Sequence, residues 1–189
     1  MRRVYLIRHG LTEGNRLRRY IGRTDEPLCA AGRAALSAAP LKGIETVYVS
    51  PLLRARETAA ILFPHARQIV VGGLREMDFG AFENRSADDM KNDAAYRAWV
   101  DSLCEGDCPG GENRRGFVAR TVRAFENICA AGGDAPLVIV AHGGTVMALM
   151  SELGEPKKDY WAWHVGAGGC LRCALDGGRL IYEGDGFDA

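Results

Sequence analysis

Val4-Tyr5-Leu6-Ile7-Arg8-His9-Gly10-Leu11-Thr12-Glu13-Gly14-Asn15 decides the fold of this chain. Its first four residues form a short apolar run rich in β-branched and aromatic side chains, which reads as a buried strand. Directly after it come a permanent cation, an imidazole and a glycine. The strand therefore delivers polar groups at its carboxyl end, where open α/β sheets bind their ligands. Other strands should then bring matching chemistry to the same edge.

Working outward, Thr46–Val49, Gln68–Val71 and Leu137–Ala141 read as further strands. They run into Ser50-Pro51-Leu52-Leu53-Arg54, through Gly72-Gly73-Leu74 to Arg75-Glu76, and into His142-Gly143-Gly144. A last pair, Cys170–Leu175 and Arg179–Glu183, flanks Asp176-Gly177-Gly178, a hairpin signal. Helices are predicted over Ala30–Ala39, Gly144–Leu153 and Pro51–Leu62, the last with Ser50 as cap and Pro51 at its first position. A long amphipathic helix is predicted over Asn113–Ala131, with Phe117, Val118, Val122, Phe125, Ile128 and Cys129 at helical spacing. Strands alternating with helices predict an α/β fold, a three-layer α/β/α sandwich with a mostly parallel central sheet. Residues about 77–111 interrupt the alternation, with Phe79, Phe82, Tyr96 and Trp99 among acidic and small residues. That stretch is expected to be a small lid insertion over the ligand edge, within a single domain spanning 1–189.

Composition narrows the function. A chain of 189 residues with 47% hydrophobic and 25% charged residues suits a soluble globular protein that needs no disulfide or metal to hold it together. Lys plus Arg equals Asp plus Glu at 24 each, so no polyanion-binding surface is implied and nucleic acid is not an expected partner. No apolar stretch is long enough to cross a bilayer, and the N-terminal run is too short for a signal peptide. The expectation is a cytoplasmic protein, monomer or homodimer, without membrane contact and with reduced cysteines. Cys104 with Cys108 and Cys170 with Cys173 have spacings that could suggest zinc. A strand over Leu171–Leu175 would point Cys170 and Cys173 to opposite faces, so plain thiols are expected.

The residues at the strand ends are two histidines, two or three arginines and one glutamate. Arginine forks match phosphate oxygens, a neutral imidazole is a competent nucleophile, and a carboxyl with a raised pKa can protonate a departing alkoxide. Glycines after each histidine, Gly10 and Gly143, allow backbone N–H groups near a phosphate, and helix N-termini add positive potential. These types suit phosphoryl transfer from a dianionic monoester.

The stretch from Leu6 to Asn15 resembles the signature of the histidine phosphatase superfamily, phosphoglycerate mutase-like branch. Four more segments resemble its later blocks, in order. These are Gly22-Arg23-Thr24-Asp25 with Pro27-Leu28 and Gly32, and Ser50-Pro51-Leu52 with Arg54-Ala55 and Thr58-Ala59. Leu74 and Glu76 with Phe79-Gly80 and Glu83 follow, and Ala141-His142-Gly143-Gly144 comes last. The resemblance implies that His9 is the nucleophile that becomes phosphohistidine. It implies that Arg8, Arg54 and His142 hold the phosphoryl group and that Glu76 gives a proton to the leaving group. Asn15 would line the phosphate pocket, Thr12 could add a hydroxyl, and Arg23 is a lesser candidate for touching substrate. No metal and no cofactor are implied. Two departures lie near the expected lid: Asn84 replaces the family's glycine but tolerates a left-handed backbone, and Asn113 replaces its serine but can cap a helix.

Blander roles stand beside these. His9 could be a structural histidine, Arg54 a solvated helix residue, and Glu76 one loop carboxylate among Asp78 and Glu83. His65 is expected to be exposed; His164 could reach the pocket rim, but packing with Trp161-Ala162-Trp163 is the favoured role. The lid aromatics Phe82, Tyr96 and Trp99 could stack on a heterocycle or form the lid's own small core. Three functions follow: a phosphomonoesterase on a small phosphorylated metabolite, a phosphoglycerate mutase-type transferase, or a non-catalytic binding module. The compact length and short lid favour the phosphatase. Within that class the spacing resembles α-ribazole phosphatases as well as sugar-phosphate phosphatases.

Overall fold

The computed structural model describes residues 1–131 and 133–187. Its elements, in chain order, are β1 (Arg2–Arg8), α1 (Glu13–Arg16), α2 (Ala30–Ala34), β2 (Thr46–Val49), α3 (Leu53–Leu62) and β3 (Arg67–Val70). There follow α4 (Ala94–Asp101), α5 (Arg114–Ala130), β4 (Leu137–Ala141), α6 (Gly143–Leu153), β5 (Gly154–Glu155), β6 (Cys170–Asp176) and β7 (Arg179–Asp185). The strands form one mixed sheet of seven in the order β3-β2-β4-β1-β6-β7-β5. β3, β2, β4 and β1 run parallel, whereas β6 pairs antiparallel with both β1 and β7.

Two cores lie on opposite faces of the sheet. Val4, Leu6, Leu137 and Ile139 point to the face covered by α5 and α6. Tyr5, Ile7, Val138 and Val140 point to the face covered by α3. This is strand alternation with both faces roofed, and all five residues of β4 are therefore buried. Cys170 and Cys173 fall into these two different cores, and all six cysteines are free thiols. Among the described residues no helix is long and apolar enough to cross a membrane.

Local signals held where the partner was local. Gly177 and Gly178 take positive φ in the two-residue turn between β6 and β7. Asn113 caps α5 by accepting from the Gly116 N–H at 2.8 Å, and Asn84 takes a φ of 58°. The predicted Ala30–Ala39 helix stops at Ala34. The helix predicted from Pro51 starts at Leu53, and Ser50 does not cap it. Asp25 supplies that cap from another loop, accepting from the Leu53 N–H at 2.6 Å.

The chain leaves β4 for α6 on one face and leaves β1 for a loop whose Leu36 packs on the other. The carboxyl ends of β1 and β4 thus open a crevice at the switch point of the sheet.

Candidate active site

Register builds the first half of the site. Arg8 pairs with Ala141 across β1 and β4, so the next residue of each strand, His9 and His142, emerges side by side. Their rings stand 5.1 Å apart, edge to face. Val49 pairs with Val140, which brings Ser50 level with Ala141, and the Ser50 hydroxyl lies 2.7 Å from His142 Nε2. His9 is locked at its backbone, its N–H donating to Ala141 and its carbonyl accepting from Gly168, each at 2.9 Å. Its Nδ1 donates to the Gly10 carbonyl at 2.6 Å, which leaves Nε2 as the lone-pair nitrogen of the neutral ring.

Helix α3 brings Arg54, which is fully buried. Its Nη1 donates to the Thr24 carbonyl at 2.7 Å, and its Nη2 to those of Gly22 at 2.9 Å and Ile21 at 3.2 Å. One turn on, the Thr58 hydroxyl donates to the Arg54 carbonyl at 2.7 Å and accepts from the Gly10 N–H at 2.9 Å. Arg8 is anchored by Nη1 to the Val165 carbonyl at 2.7 Å. Arg8 Nε, Arg54 Nε, His142 Nδ1 and Asn15 Oδ1 are buried with no hydrogen-bond partner among the described residues. Such orphans are costly unless a ligand completes them. The two unpartnered guanidinium Nε donors among them point to an anion.

Glu76 faces these cations from beyond the short turn Gly72–Leu74. Its Oε1 accepts from the Met77 N–H and its Oε2 from the Gly144 N–H at the start of α6, both at 2.9 Å. Glycine at 144 leaves room for the acid, because a Cβ there would come within 2.2 Å of Glu76 Oε1 and push the carboxyl aside. Burial raises the Glu76 pKa, while those two N–H groups, Arg54 and Arg8 pull it back down. A dianion arriving nearby disfavours the carboxylate further, so bound substrate and protonated Glu76 favour one another.

A cavity of about 250 Å³ opens above, lined by Arg8, His9, Asn15, Glu76 and Gly143 and walled by Tyr20, Ile21, Phe79, Trp99, Arg114, Tyr160 and Trp161. Arg54 and His142 lie beneath it. Thr12 is fully buried as the cap of α1, its hydroxyl accepting from the Asn15 N–H at 3.2 Å, so it bears on the cavity through Asn15. Arg23 lies outside the lining, its exposed side chain 3.5 Å from Asp78. His164, for which the sequence favours packing over the pocket rim, lines the cavity with Nε2 3.4 Å from Arg8 Nη1. Phe82, Tyr96 and Trp99 form a core of their own, and Trp99 also lines the cavity. Sequence reasoning missed Tyr160, Trp161 and Arg114 as lining residues. Only the density of aromatics after α6 hinted at them.

Both buried imidazoles are held neutral. Burial, then Arg54 and Arg8, push His9 down to about 3 despite its bond to Gly10. Burial, then Arg54 and His9, push His142 well below the ordinary value. With a folded pKa below the unfolded one, each group leaves stability intact above about 6.5 and erodes it as the pH falls, because only the unfolded chain takes up the proton. Each contributes a slope of up to about 1.4 kcal/mol per pH unit. The free energy from urea unfolding is therefore expected to decline from pH 7.5 to 5, above the main carboxylate range. The decline should be shallower in His142→Gln; an unchanged slope removes His142 as a cause.

Residues 4–183 match the histidine phosphatase superfamily (branch 1). A protein named "Probable phosphoglycerate mutase GpmB" from Serratia proteamaculans is 35% identical over 166 residues, covering 82% of this chain and 77% of that one. The α-ribazole phosphatase of Shigella flexneri superposes with a TM-score of 0.81 at 25% identity, over 96% of this chain and 94% of its own. A phosphoglycerate mutase from Thermus thermophilus superposes with a TM-score of 0.74 at 32% identity, over 99% of each chain.

Proposed function

The chain belongs to the histidine phosphatase superfamily, branch 1, and from that premise we propose that it is a phosphomonoesterase working through a phosphohistidine on His9. The observation that carries this reading is the state of His9: neutral, with Nδ1 committed to Gly10, between Arg8 and Arg54 and across a small cavity from Glu76. In the first step the Nε2 lone pair forms a bond to phosphorus and the P–O bond of the ester breaks. Glu76 gives its proton to the departing oxygen. In the second step the Glu76 carboxylate takes a proton from water, whose oxygen attacks phosphorus. The P–N bond breaks, its electron pair returns to Nε2, and inorganic phosphate leaves. Arg8 and Arg54 supply the positive charge that the transferring group needs and neutral His142 a hydrogen bond, so the reading calls for no metal and no cofactor.

The leaving group would lie against Tyr20, Phe79, Trp99, Tyr160 and Trp161. On this side the Tyr20 hydroxyl is paired with that of Tyr96 at 2.9 Å, and the buried Trp99 Nε1 has no partner among the described residues. Flat aromatic walls support a heterocyclic alcohol such as α-ribazole over a sugar. The mutase reading has in its favour several curated relatives and a solved structure that carry that name.

A screen of α-ribazole phosphate, sugar phosphates, nucleotides and phosphoglycerates decides between them. Phosphate release fastest from α-ribazole phosphate is expected, with an acid-labile phosphoryl group trapped on His9 during turnover. Phosphoglycerate interconversion outpacing phosphate release would favour the mutase. Turnover with no label on His9 would remove the covalent route.

A further inference from the structure

Residues 73–78 carry Glu76 in a segment without strand or α-helix, so its position depends on what grips its backbone. Arg120 of α5 does so with three N–H groups of its guanidinium and gives the other two to Glu112. Nε and Nη2 donate to the two oxygens of Glu112, each at 2.7 Å. Nη1 donates to the carbonyls of Gly73 at 3.0 Å and Arg75 at 2.9 Å, and Nη2 also reaches the Glu76 carbonyl at 2.9 Å. Glu112 holds the other side of the acid. Its Oε2 accepts from the Asp78 N–H at 3.0 Å, and its own N–H donates to the Asp78 carbonyl at 2.9 Å.

Arg120 and Glu112 thus bracket Glu76 from residue 73 to residue 78. Burial works against the charge of Glu112, yet the Arg120 guanidinium and the Asp78 N–H hold its carboxyl below the usual range. The pair stays ionised wherever a phosphatase of this kind would work. An arginine with five satisfied donors in a fixed plane has little freedom, and neither have the three carbonyls it holds. The Glu76 carboxyl is then aimed by its own contacts with the Met77 and Gly144 N–H groups.

We propose that Arg120 and Glu112 are positioning residues for the acid Glu76, a role that rests on the reading of Glu76 as proton donor. An ion pair that only fastened α5 to its neighbours would serve every substrate alike. A clamp on the acid matters where the leaving oxygen needs a proton. Displacement by about 1 Å is enough to cost on the order of 100-fold in rate.

The test compares p-nitrophenyl phosphate, whose leaving group needs no proton, with 2-phenylethyl phosphate, whose leaving group does. In Arg120→Lys and Glu112→Gln, kcat/KM, which reports the phosphorylation step without the water attack that both esters share, is expected to fall on the order of 10- to 100-fold for the alkyl ester and by less than about threefold for the aryl ester. Adding Glu76→Gln to either should bring little further loss on the alkyl ester. Equal losses on the two esters, or losses that multiply with Glu76→Gln, overturn the proposal. Should Arg120→Lys fail to fold, Glu112→Gln carries the same comparison. A Glu76→Gln variant whose kcat/KM falls equally on the two esters overturns the acid reading and the clamp with it. Wild-type protein that cleaves neither ester is a failure of the phosphatase reading alone. The ¹³C-labelled Glu76 carboxyl then tests the clamp by NMR: its pKa should drop in Arg120→Lys as the loosened segment admits water, and an unchanged titration overturns the proposal.

Discussion

Replacing His9 by alanine is expected to lower kcat for any ester the wild-type protein cleaves by about 10⁴-fold or more, since it removes the atom on which both steps turn. The residual rate would come from Arg8, Arg54 and His142, which in the proposed mechanism would still hold the phosphoryl group. The loss should not come from unfolding. The His9 side chain has its hydrogen bond with the neighbouring Gly10 carbonyl, and leaving that acceptor bare costs about 1–3 kcal/mol. Stability can be checked against catalysis in one preparation: thermal melts with and without vanadate should still show binding to His9→Ala while turnover is gone. Retention of more than about a hundredth of wild-type kcat, too much for a site without its nucleophile, would take the phosphohistidine off the route.

The two histidines were legible because their signal is local. A run of apolar residues ending in Arg-His or Ala-His states both the strand and what it delivers, and the parallel pairing of Arg8 with Ala141 does the rest. Ser50 shows the limit of that reasoning. Before proline it has the local pattern of a helix cap, yet its hydroxyl serves His142, and the cap comes from Asp25 in a distant loop. Nothing within a few residues of Ser50 could reveal this. Arg120 was also overlooked, although a trace of it was in the sequence. It follows Phe117 by one helical turn, beside the buried stripe of Phe117, Thr121 and Ala124. A cation beside a buried stripe needs partners, and the helical pattern shows the need without naming Glu112 or the carbonyls of 73–76. The cavity walls were the least legible part. Tyr160, Trp161 and His164 come from a segment whose aromatics resemble ordinary packing until the crevice between β1 and β4 is in place.

Arg54→Lys is expected to cost about 10²- to 10³-fold in kcat/KM, the second largest loss, and to lower the melting temperature as well. The two effects share one cause. The Arg54 guanidinium holds the carbonyls of Ile21, Gly22 and Thr24 on one edge and leaves Nε unpartnered among protein atoms on another. It is both the anchor of the loop that presents Ile21 to the cavity and a fixed positive charge beneath His9. A lysine keeps the charge but offers a compact ammonium in place of a planar fork, so it cannot serve all three carbonyls and a phosphate together. Stranding one or two of these acceptors costs about 1–3 kcal/mol each, or several degrees in a chain of this length. A loop effect alone would lower the melting temperature and raise KM, leaving kcat nearly intact. Loss of a planar fork that holds the transferring phosphoryl group would lower kcat too. Measured kcat within about threefold of wild type in folded Arg54→Lys would leave Arg54 a loop anchor without a part in phosphoryl transfer.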